Sequence, residues 1–459
     1  MIEAAVILAG GRGERMWPYG ETRSKATLPV LNSPAIAHQV RNLTEVGVKD
    51  FTVVLGHLGQ QVRSAVAREG VEANFVEHQE FDGPAGGLAA AADQIERDGF
   101  FVVHGDTACT VENYRELLEV WDEDSEAAAL VQDIEKEEAG DWFTASIAGG
   151  ELEAVHAHSR GGPSRRLCGI YIMTDKALSY AKNHFGMTTR LDVGAMPPIE
   201  ADLSQTLQDM VNSGETVKVA ESRGVFVDMD KPWHLLEANM RMAGYINQGL
   251  EEDDIAEGAE ISEEAEISGP IRVGPNSRIG NRVVIGGNVT IGANTSITNG
   301  AMVGSNVVIG DHCKIRDYSQ LGSGSVLGDN CVMGHCAEFG GLLMNKVYLY
   351  HYCELSGVIG TATDIGAATV CGTLRFDDGR TTHEVKGRKE TPLRGSNATY
   401  IGEYCRTGVN AIIMPGVKVG PYSVLGPGTI VYEDVPERTM LLAKQEQVKK
   451  RWGPEKYGW

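Results

Sequence analysis

Single aliphatic residues recur at every sixth position through the second half of the chain. The series has fourteen aliphatic members, and Phe339 carries it one step further: Ile255, Ile261, Ile267, Val273, Ile279, Ile285, Ile291, Ile297, Val303, Ile309, Ile315, Leu321, Leu327 and Met333. A period of six fits neither a helix, which repeats about every 3.6 residues, nor an ordinary strand, which alternates. Three six-residue sides that close one triangular turn would bring every member to an inner wall, so the pattern predicts a parallel β-helix.

The residues around this ladder follow the same period. Glycine comes directly after it at 274, 280, 286, 292, 304, 310, 322, 328 and 334. Since glycine adopts conformations that other residues avoid, these positions predict the corners of the prism. Two residues before the ladder the side chain is usually small, as at Thr295, Ala301, Cys313, Ser319, Ser325, Cys331 and Ala337. Alternation along a short strand turns these side chains inward as well.

In the first half of the chain, apolar runs alternate with helical patterns. Strands are predicted at 2–8, 52–56, 74–77 and 100–103, and helices at 35–46 and 60–69. This alternation predicts a doubly wound α/β domain whose ligand lies where the loops after residues 9, 56 and 104 converge. A helical pattern from 232 to about 249 and an acidic run at 251–254 lead into the repeat. We therefore expect two domains, 1–250 and 251–459.

Length and charge narrow the possible functions. A chain of 459 residues is too long for one core. Its net charge of −22 argues against nucleic acid or an anionic membrane as a partner, so any anionic substrate must meet locally placed cations. No apolar stretch approaches the length of about 18 residues that a membrane span needs, and a soluble cytoplasmic protein is expected. The eight cysteines contain no C-x-x-C pair, which favours structural burial.

The segment L-A-G-G-R-G-E-R-M-W-P at 8–18 is the first candidate site. Gly10, Gly11 and Gly13 would let backbone amides close on phosphate oxygens, and Arg15 would add positive charge. Met16 stands where a dinucleotide-binding fingerprint has its third glycine, and no G-K-[ST] of a P-loop is present.

The continuation of this segment resembles the signature of sugar-1-phosphate nucleotidylyltransferases. Lys25 lies in S-K-A-T-L-P-V, although Glu14 and Ser24 replace a threonine and a proline of the family. Further matches follow in the family's order: Gln79, G-P-A-G-G-L at 83–88, V-V-H-G-D ending in Asp106, C-G-I-Y around Gly169, Glu200 with Asp202, and V-F-V-D-M-D around Asp228.

The resemblance implies a Rossmann-like domain that transfers a nucleoside monophosphate from UTP or dTTP to a sugar 1-phosphate of the glucose or N-acetylglucosamine type. Arg15 would stabilise the departing pyrophosphate and Lys25 the α-phosphate or sugar phosphate. Asp106 and Asp228 would hold Mg²⁺, with Asp230 as the alternative to Asp228. The nucleotide would contact Leu8, Gly10, Gly11, Gly13, Gln79 and Gly83, and the sugar phosphate would contact Gly169, Glu200 and Asp202. Neither the base nor the sugar is specified.

The ladder predicts a structural break between 340 and 358, before Ile359 and Ile365 resume the period. The runs D-I-G-A-A-T at 364–369, L-R-F-D-D-G at 374–379 and R-T-G-V-N-A-I-I-M-P-G at 406–416 resemble the acetyltransferase half of bifunctional nucleotidylyl- and acetyl-transferring enzymes. This family implies a left-handed β-helix, acetyl-CoA as co-substrate and a homotrimer. His351, inside the predicted break, would be the general base.

Lys386, Arg388, Lys389 and Asn410 are the candidates for binding the acceptor or the coenzyme. Glu354 and Thr373 replace a tyrosine and an asparagine of the family, which leaves two alternatives open. In the first alternative the β-helix is only a structural or regulatory trimerisation module. In the second the whole chain is a non-catalytic scaffold, although Arg15, Lys25, Asp106 and Asp228 are present. The tail aromatics Trp452, Tyr457 and Trp459 are expected to pack at the end of the coil.

Overall fold

The computed structural model describes residues 2–80, 82–95, 99–122, 124–134, 136–158, 162–184 and 200–454, with 136–138 described by their backbone alone. The first half forms a mixed nine-stranded sheet. Its strands are Ala4–Ala9, Asp50–Leu55, Ala73–Glu77, Phe100–His104, Ala127–Asp133, Phe143–Ala148, Glu151–Ala157, Arg165–Met173 and Val217–Glu221. In space, the strands that begin at 73, 50, 4, 100, 165, 127, 217, 151 and 143 are neighbours in that order.

Helices cover both faces of this sheet. They are α1 (Ala35–Glu45), α2 (Gly59–Arg68), α3 (Pro84–Ala91), α4 (Glu112–Val120), α5 (Asp175–Lys182), α6 (Leu203–Asn212) and α7 (Pro232–Gln248). Along the first strand Ile7 packs with α1, α2 and α4, whereas Val6 packs with α3, α5 and α6. Successive strand residues therefore serve two separate cores, and the predicted doubly wound domain is confirmed.

The second half is a three-sided parallel β-helix, as the ladder predicts. Side 1 contains Asp254–Ile255, Ile271–Val273, Val289–Ile291, Val308–Ile309, Val326–Leu327, Thr399–Ile401 and Lys418–Val419. Side 2 contains Glu260–Ile261, Arg278–Ile279, Ser296–Ile297, Lys314–Ile315, Val332–Met333, Tyr348–Leu349, Asp364–Ile365, Arg406–Thr407, Val424–Leu425 and Met440–Leu441. Side 3 contains Glu266–Ile267, Val284–Ile285, Met302–Val303, Gln320–Leu321, Val370–Cys371, Ile412–Ile413 and Ile430–Val431.

Ladder residues from Val273 onward form one buried core together with Ala301, Cys313, Cys331 and Ala337, and the small residues Thr295, Ser319 and Ser325 are buried as well. Ile255, in the first coil, stays 41% exposed because no coil lies beneath it. The glycines after the ladder act differently from the prediction. At Gly274 a Cβ would lie 2.6 Å from the backbone of Gly292, and the left-handed conformation falls instead at Asn276, with φ 58°. A side chain at Gly274 is therefore excluded by the close stacking of consecutive coils and not by the conformation of the turn.

The predicted break between 340 and 358 is wrong, because the coil continues through it. Leu321 pairs with Phe339 eighteen residues later, but Leu327 pairs with Leu343 only sixteen residues later. Two long strands, Glu338–Leu343 and Glu354–Ile359, run from side 3 to side 1 without a corner and pair with each other. Gly341, with φ 128°, allows this, since a Cβ there would lie 2.1 Å from the Gly357 carbonyl oxygen. Coils of sixteen residues instead of eighteen therefore explain why the six-residue period is interrupted after Phe339.

Side 1 of the β-helix packs against the first domain. The shared core contains Met16, Tyr19 and Leu28 from the first domain, Trp233 from α7, and Val358 from the β-helix. The Tyr19 hydroxyl donates to the Val358 carbonyl oxygen at 2.8 Å. No helix in the described ranges is long and apolar enough to span a membrane.

The extrusion between residues 371 and 399 forms a hairpin of His383–Val385 and Arg388–Glu390. We call residues 383–390 the interdomain hairpin, because it leaves the β-helix and lies against the first domain. The His383 ring lies 5.0 Å from that of Trp233 at the start of α7. Val385 belongs to the core that the two domains share.

Candidate active site

A small antiparallel strand pair brings Asp106 and Asp228 together. Thr107–Cys109 pairs with Phe226–Asp228 so that Thr107 is opposite Asp228. The Met229 amide donates to the Asp106 carbonyl oxygen at 3.1 Å, and the Gly105 amide donates to that of Leu8 at 2.8 Å. Two acidic residues that are 122 positions apart in the sequence thus meet at the carboxyl edge of the parallel strands.

Two cations of the signature segment reach this edge. Lys25 Nζ lies 2.5 Å from Asp106 Oδ2 and 3.0 Å from Asp230 Oδ1. Arg15 NH1 lies 3.0 Å from Asp230 Oδ2. The Lys25 side chain is only 15% exposed, whereas that of Arg15 is 47% exposed and is open to a ligand.

Asp228 and Asp230 have opposite environments. Burial raises the pKa of Asp228, and the neighbouring Asp106 and Asp230 add to this effect while Lys25 opposes it. Burial would also raise the pKa of Asp230, but Lys25 and Arg15 outweigh it, so this pKa lies well below its usual value. Asp230 Oδ2 also lies 3.4 Å from Lys231 Nζ. No cation in the described residues forms an ion pair with Asp228.

The carboxylates fit a magnesium ion that keeps water or phosphate ligands. Carboxylate oxygens are hard donors, and a divalent cation would offset both the burial and the repulsion that raise the pKa of Asp228. Within the described residues no group of three or more His, Cys, Asp and Glu is arranged as a metal site. Two protein carboxylates with the remaining positions filled by substrate and water is a typical arrangement for Mg²⁺.

The glycine-rich loop lines a cleft of about 420 Å³ together with Gln79, Gly56, His57 and Leu58. Gly13 has φ 67°, and the position of a Cβ on Gly11 is open space. Gly10 lies against Gly56, so closely that a Cβ on Gly56 would meet the Gly10 oxygen at 2.1 Å. Gly13 and Gln79, both predicted nucleotide contacts, therefore lie at one cleft.

Two other predicted nucleotide contacts face neighbouring segments. A Cβ on Gly83 would lie 2.6 Å from the Ala201 oxygen, so this glycine permits the close packing of residues 200–202. Leu8 is partly buried, and its side chain would contact a Cβ at Gly87. Their assignment to the nucleotide stays a prediction.

The residues predicted to bind the sugar phosphate have mixed surroundings. Gly169, with φ 67°, leaves room for His104, whose Nδ1 would lie 2.6 Å from a Cβ at that position. Asp202 caps α6 by accepting from the Ser204 amide at 2.8 Å. Burial raises the pKa of Glu200, and the positive charge of Arg15 opposes this rise. Glu200 therefore lies close enough to the first site to interact with its charges.

His351 lies on the edge between sides 2 and 3 of the β-helix and is exposed. Its ring is stacked 5.7 Å from that of His335 and meets the Tyr352 ring edge-on at 5.3 Å. Asn410 follows on the same edge, since Ala368 donates to the His351 oxygen and Asn410 donates to the oxygen of Ala367. The structure thus aligns two predicted acetyltransferase residues that are 59 positions apart.

Comparison with known families agrees with this division. Residues 5–179 match the MobA-like NTP transferase domain, and residues 270–305, 306–341 and 398–432 match the bacterial transferase hexapeptide repeat. These matches lie in different halves of the chain, and we name the halves after them, the NTP transferase domain and the hexapeptide domain. The predicted combination of a nucleotidyltransferase with an acyltransferase-type repeat is confirmed.

Two relatives match the chain along almost its whole length. The chain is 26% identical over 452 residues to the bifunctional sugar-1-phosphate nucleotidylyltransferase/acetyltransferase of Sulfurisphaera tokodaii, covering 94% of this chain and 98% of that protein. It is 24% identical over 453 residues to the bifunctional protein GlmU of Methanocaldococcus jannaschii, covering 97% and 98%. A solved structure, the inositol-1-phosphate CTP transferase from T. maritima, is similar with a TM-score of 0.45 at 19% identity, over 54% of this chain and 97% of that one.

Arg166 is a residue of the NTP transferase domain that the sequence prediction missed. Its guanidinium lies between the rings of Trp142 and Phe226, at 4.1 Å and 5.0 Å. The residue is 5% exposed, its Nε has no hydrogen-bond partner, and within the described ranges no carboxylate forms an ion pair with it. The available signal was its place in strand alternation with Cys168 and Ile170, which puts a charge on an apolar face.

Lys386, Arg388 and Lys389 belong to the interdomain hairpin. Lys386 forms an ion pair with Glu14 of the glycine-rich loop. The charge of Arg388 contributes, after burial, to the lowered pKa of His158 in the NTP transferase domain. In the part of the chain that the structure describes, none of the three forms a hydrogen bond or ion pair with His351. Their assignment to acetyl transfer stays a prediction, and Lys386 contacts the glycine-rich loop of the first site.

Proposed function

We propose that the chain transfers a nucleoside monophosphate from UTP or dTTP to a sugar 1-phosphate and releases pyrophosphate. The observation that carries this proposal is the convergence of Arg15 and Lys25 with Asp106 and Asp228 beside a glycine-rich loop. Cations and carboxylates of this kind are what a phosphoryl-transfer site requires. Domain 1–250 would carry this reaction, with a sugar 1-phosphate of the glucose or N-acetylglucosamine type.

In the proposed reaction a phosphate oxygen of the sugar 1-phosphate attacks the α-phosphorus in line. A new oxygen–phosphorus bond forms while the bond to the β-phosphate breaks, and the electron pair leaves with pyrophosphate. The attacking phosphate is already ionised, so the site needs no general base. Lys25 would neutralise the α-phosphate or the sugar phosphate. The more exposed Arg15 would meet the departing pyrophosphate.

Asp106 and Asp228 would hold the magnesium ion that charge neutralisation at the phosphates requires. We propose Asp228 over Asp230 for this role, because Asp230 already contacts Arg15, Lys25 and Lys231. Asp230 would instead orient those cations. Glycine-rich loop amides and Gln79 would contact the nucleotide, and Glu200 would lie towards the sugar phosphate.

A pyrophosphate-release screen tests this proposal. The full-length protein is assayed with Mg²⁺, each of the common nucleoside triphosphates, and glucose, glucosamine and N-acetylglucosamine 1-phosphates. We expect release to require both substrates and to be greatest with UTP or dTTP. Absence of release with every pair would overturn the proposed function and favour the non-catalytic scaffold.

A second activity is proposed for the hexapeptide domain, domain 251–459. His351 and Asn410 share an exposed edge, and the repeat match is to bacterial transferases. We propose that the amine of an amino-sugar 1-phosphate attacks the thioester carbon of acetyl-CoA, with His351 taking the amine proton as the thiol of the coenzyme departs. Release of free thiol that depends on glucosamine or galactosamine 1-phosphate would support this activity. Its absence with every amino sugar would leave the domain a structural module.

We propose that the protein is cytoplasmic and forms a homotrimer through contacts between its hexapeptide domains. Phe376, in the L-R-F-D-D-G loop, is fully exposed, and Leu374 beside it is 79% exposed. Side 3 also exposes Val284, Met302, Ile412 and Ile430. Apolar surface of this kind is typical of protein interfaces. A mass close to three chains in light scattering is expected, and a monomer at micromolar concentration would contradict it.

A further inference from the structure

We infer that the hexapeptide domain completes the nucleotidyl-transfer site, with Glu390 of the interdomain hairpin as a positioning residue. The inference rests on the proposed function and adds a residue from outside the NTP transferase domain to it. Glu390 Oε2 lies 3.1 Å from Lys231 Nζ, and the two side chains are only 9% and 4% exposed. A buried cross-domain ion pair of this kind is costly to break from one side.

This pair continues directly into the candidate catalytic cluster. Lys231 Nζ lies 3.4 Å from Asp230 Oδ2, and Asp230 contacts Arg15 and Lys25 at 3.0 Å each. One oxygen of Asp230 faces Lys25, while the other is shared by Arg15 and Lys231. Asp230 therefore serves three cations with a single negative charge.

Glu390 resolves this competition because it supplies Lys231 with a second anion. With Glu390 charged, Lys231 is held away from the phosphates, and Asp230 remains available to Arg15 and Lys25. Without that charge, a buried Lys231 would depend on Asp230 alone, and the carboxylate would move towards it. Arg15 and Lys25 would then lose the geometry on which charge neutralisation in the transition state depends.

The hairpin is anchored firmly enough to impose this geometry. His383 packs on Trp233, and its Nε2 lies 2.8 Å from the Ser396 carbonyl oxygen. Three residues after His383, Lys386 pairs with Glu14, which directly precedes Arg15. The hairpin thus contacts the NTP transferase domain on both sides of the cluster.

The loop that carries Arg15 and Lys25 is also supported by the coils. Arg23 pairs with Glu403 and donates to the Thr361 hydroxyl at 2.9 Å. Asn32 donates from Nδ2 to the Leu327 carbonyl oxygen at 2.9 Å. The signature segment is therefore held between its own sheet and the hexapeptide domain. Glu390 adds a buried negative charge to the contacts that the hexapeptide domain makes with the first domain.

A substitution series in the full-length enzyme tests Glu390. Glu390→Gln removes the charge and keeps the shape, Glu390→Asp keeps the charge, and Glu384→Gln makes the same change at an exposed position of the same hairpin. Pyrophosphate release gives kcat and both KM values, and calorimetry gives Tm. We expect Glu390→Gln to lower kcat about tenfold with KM changed less than about threefold. Glu390→Asp should recover most of kcat, and Glu384→Gln should match the wild type.

A double-mutant cycle with Lys231→Met separates positioning from packing. If Glu390 acts through Lys231, adding Glu390→Gln to Lys231→Met should change kcat by less than about twofold. Equal kcat for Glu390→Gln and Glu384→Gln would overturn the inference. Parallel losses of kcat and Tm in both Glu390→Gln and Glu390→Asp would overturn it too, since packing alone would then explain them. An inactive wild type would count against the proposed function and not against Glu390.

Discussion

The two candidate sites of this chain differ in how their charged groups are held. At the first site Lys25, Asp106 and Asp230 are mostly buried and contact one another, and residues from both domains take part. At the second site His351 is exposed on a coil edge, and its described neighbours are the rings of His335 and Tyr352. The first site consists of buried groups within one chain, whereas the second lies on an exposed edge.

This difference shows what each domain contributes on its own. Buried like charges keep their positions only when opposite charges offset them, so the first site requires its whole network. An exposed edge of a β-helix has no such requirement, and in the proposed homotrimer a second copy of the chain would supply the facing wall. We therefore expect substitutions at the first site to act through charge and substitutions at the second to act locally.

Among the substitutions that test this comparison, Lys25→Met should have the largest effect on activity. It removes the cation that contacts both Asp106 and Asp230, and kcat for pyrophosphate release should fall about 10³-fold. Thiol release should remain unchanged. Lys49→Met, at an exposed lysine that pairs with Glu3, is the matched control. Equal losses of both activities would show that the two sites are not independent.

His351→Ala should have the next largest effect, on the second activity alone. Loss of the general base should lower thiol release about 10²-fold and leave pyrophosphate release unchanged. His312→Ala, at an exposed histidine on another edge of the same domain, controls for loss of an imidazole. Unchanged thiol release in His351→Ala would remove this residue from the mechanism.

Lys386→Ala should discriminate between the two sites with a smaller effect. Its hydrogen bond is the largest cause of the lowered pKa of Glu14, so Lys386 neutralises an acid on the glycine-rich loop. Without it, repulsion from Glu14 should raise KM for the nucleotide about fivefold. Lys346→Ala, at another exposed lysine in the left-handed conformation, is the control. A raised KM for acetyl-CoA instead would restore the assignment of Lys386 to acetyl transfer.

The smallest effect expected is a pH dependence of the interdomain contact. Burial and then Lys418 lower the pKa of His383 in the folded state. The unfolded state, with a pKa of about 6.5, binds a proton first on acidification, so stability present above that pH is lost as pH falls. His383→Gln should reduce the fall in Tm between pH 7 and 5.5, and His312→Gln should not. Equal slopes in all three proteins would contradict this account.

The repeat was predictable because one residue type at a period of six admits few folds. The first site was predictable in part, since Arg15, Lys25, Asp106 and Asp228 lie in contiguous motifs. The shortened coils were not predictable, because Gly341 and Gly357 differ from other glycines only in what lies beside them. Long-range partners were equally invisible. Glu390 and Lys231 are 159 positions apart, and no local pattern links them.

The prediction for Lys386 shows again that long-range contacts are not visible in the sequence. Its neighbours in the sequence resemble an acetyltransferase loop, yet the chain folds back so that it meets Glu14. The order of motifs in the sequence shows which domain a residue belongs to. Only the contacts in the folded chain show which site it lies at. In a chain whose second domain extends a hairpin over the first, the two assignments differ.

Pyrophosphate release by Asp106→Ala is the most direct test of the central claim that the first site transfers a nucleotidyl group. Wild type, Asp106→Ala and the exposed control Asp93→Asn are compared in full-length protein with Mg²⁺ and the best substrate pair from the screen. The account predicts loss of release in Asp106→Ala and wild-type release in Asp93→Asn. Full Mg²⁺-dependent release by Asp106→Ala would contradict it.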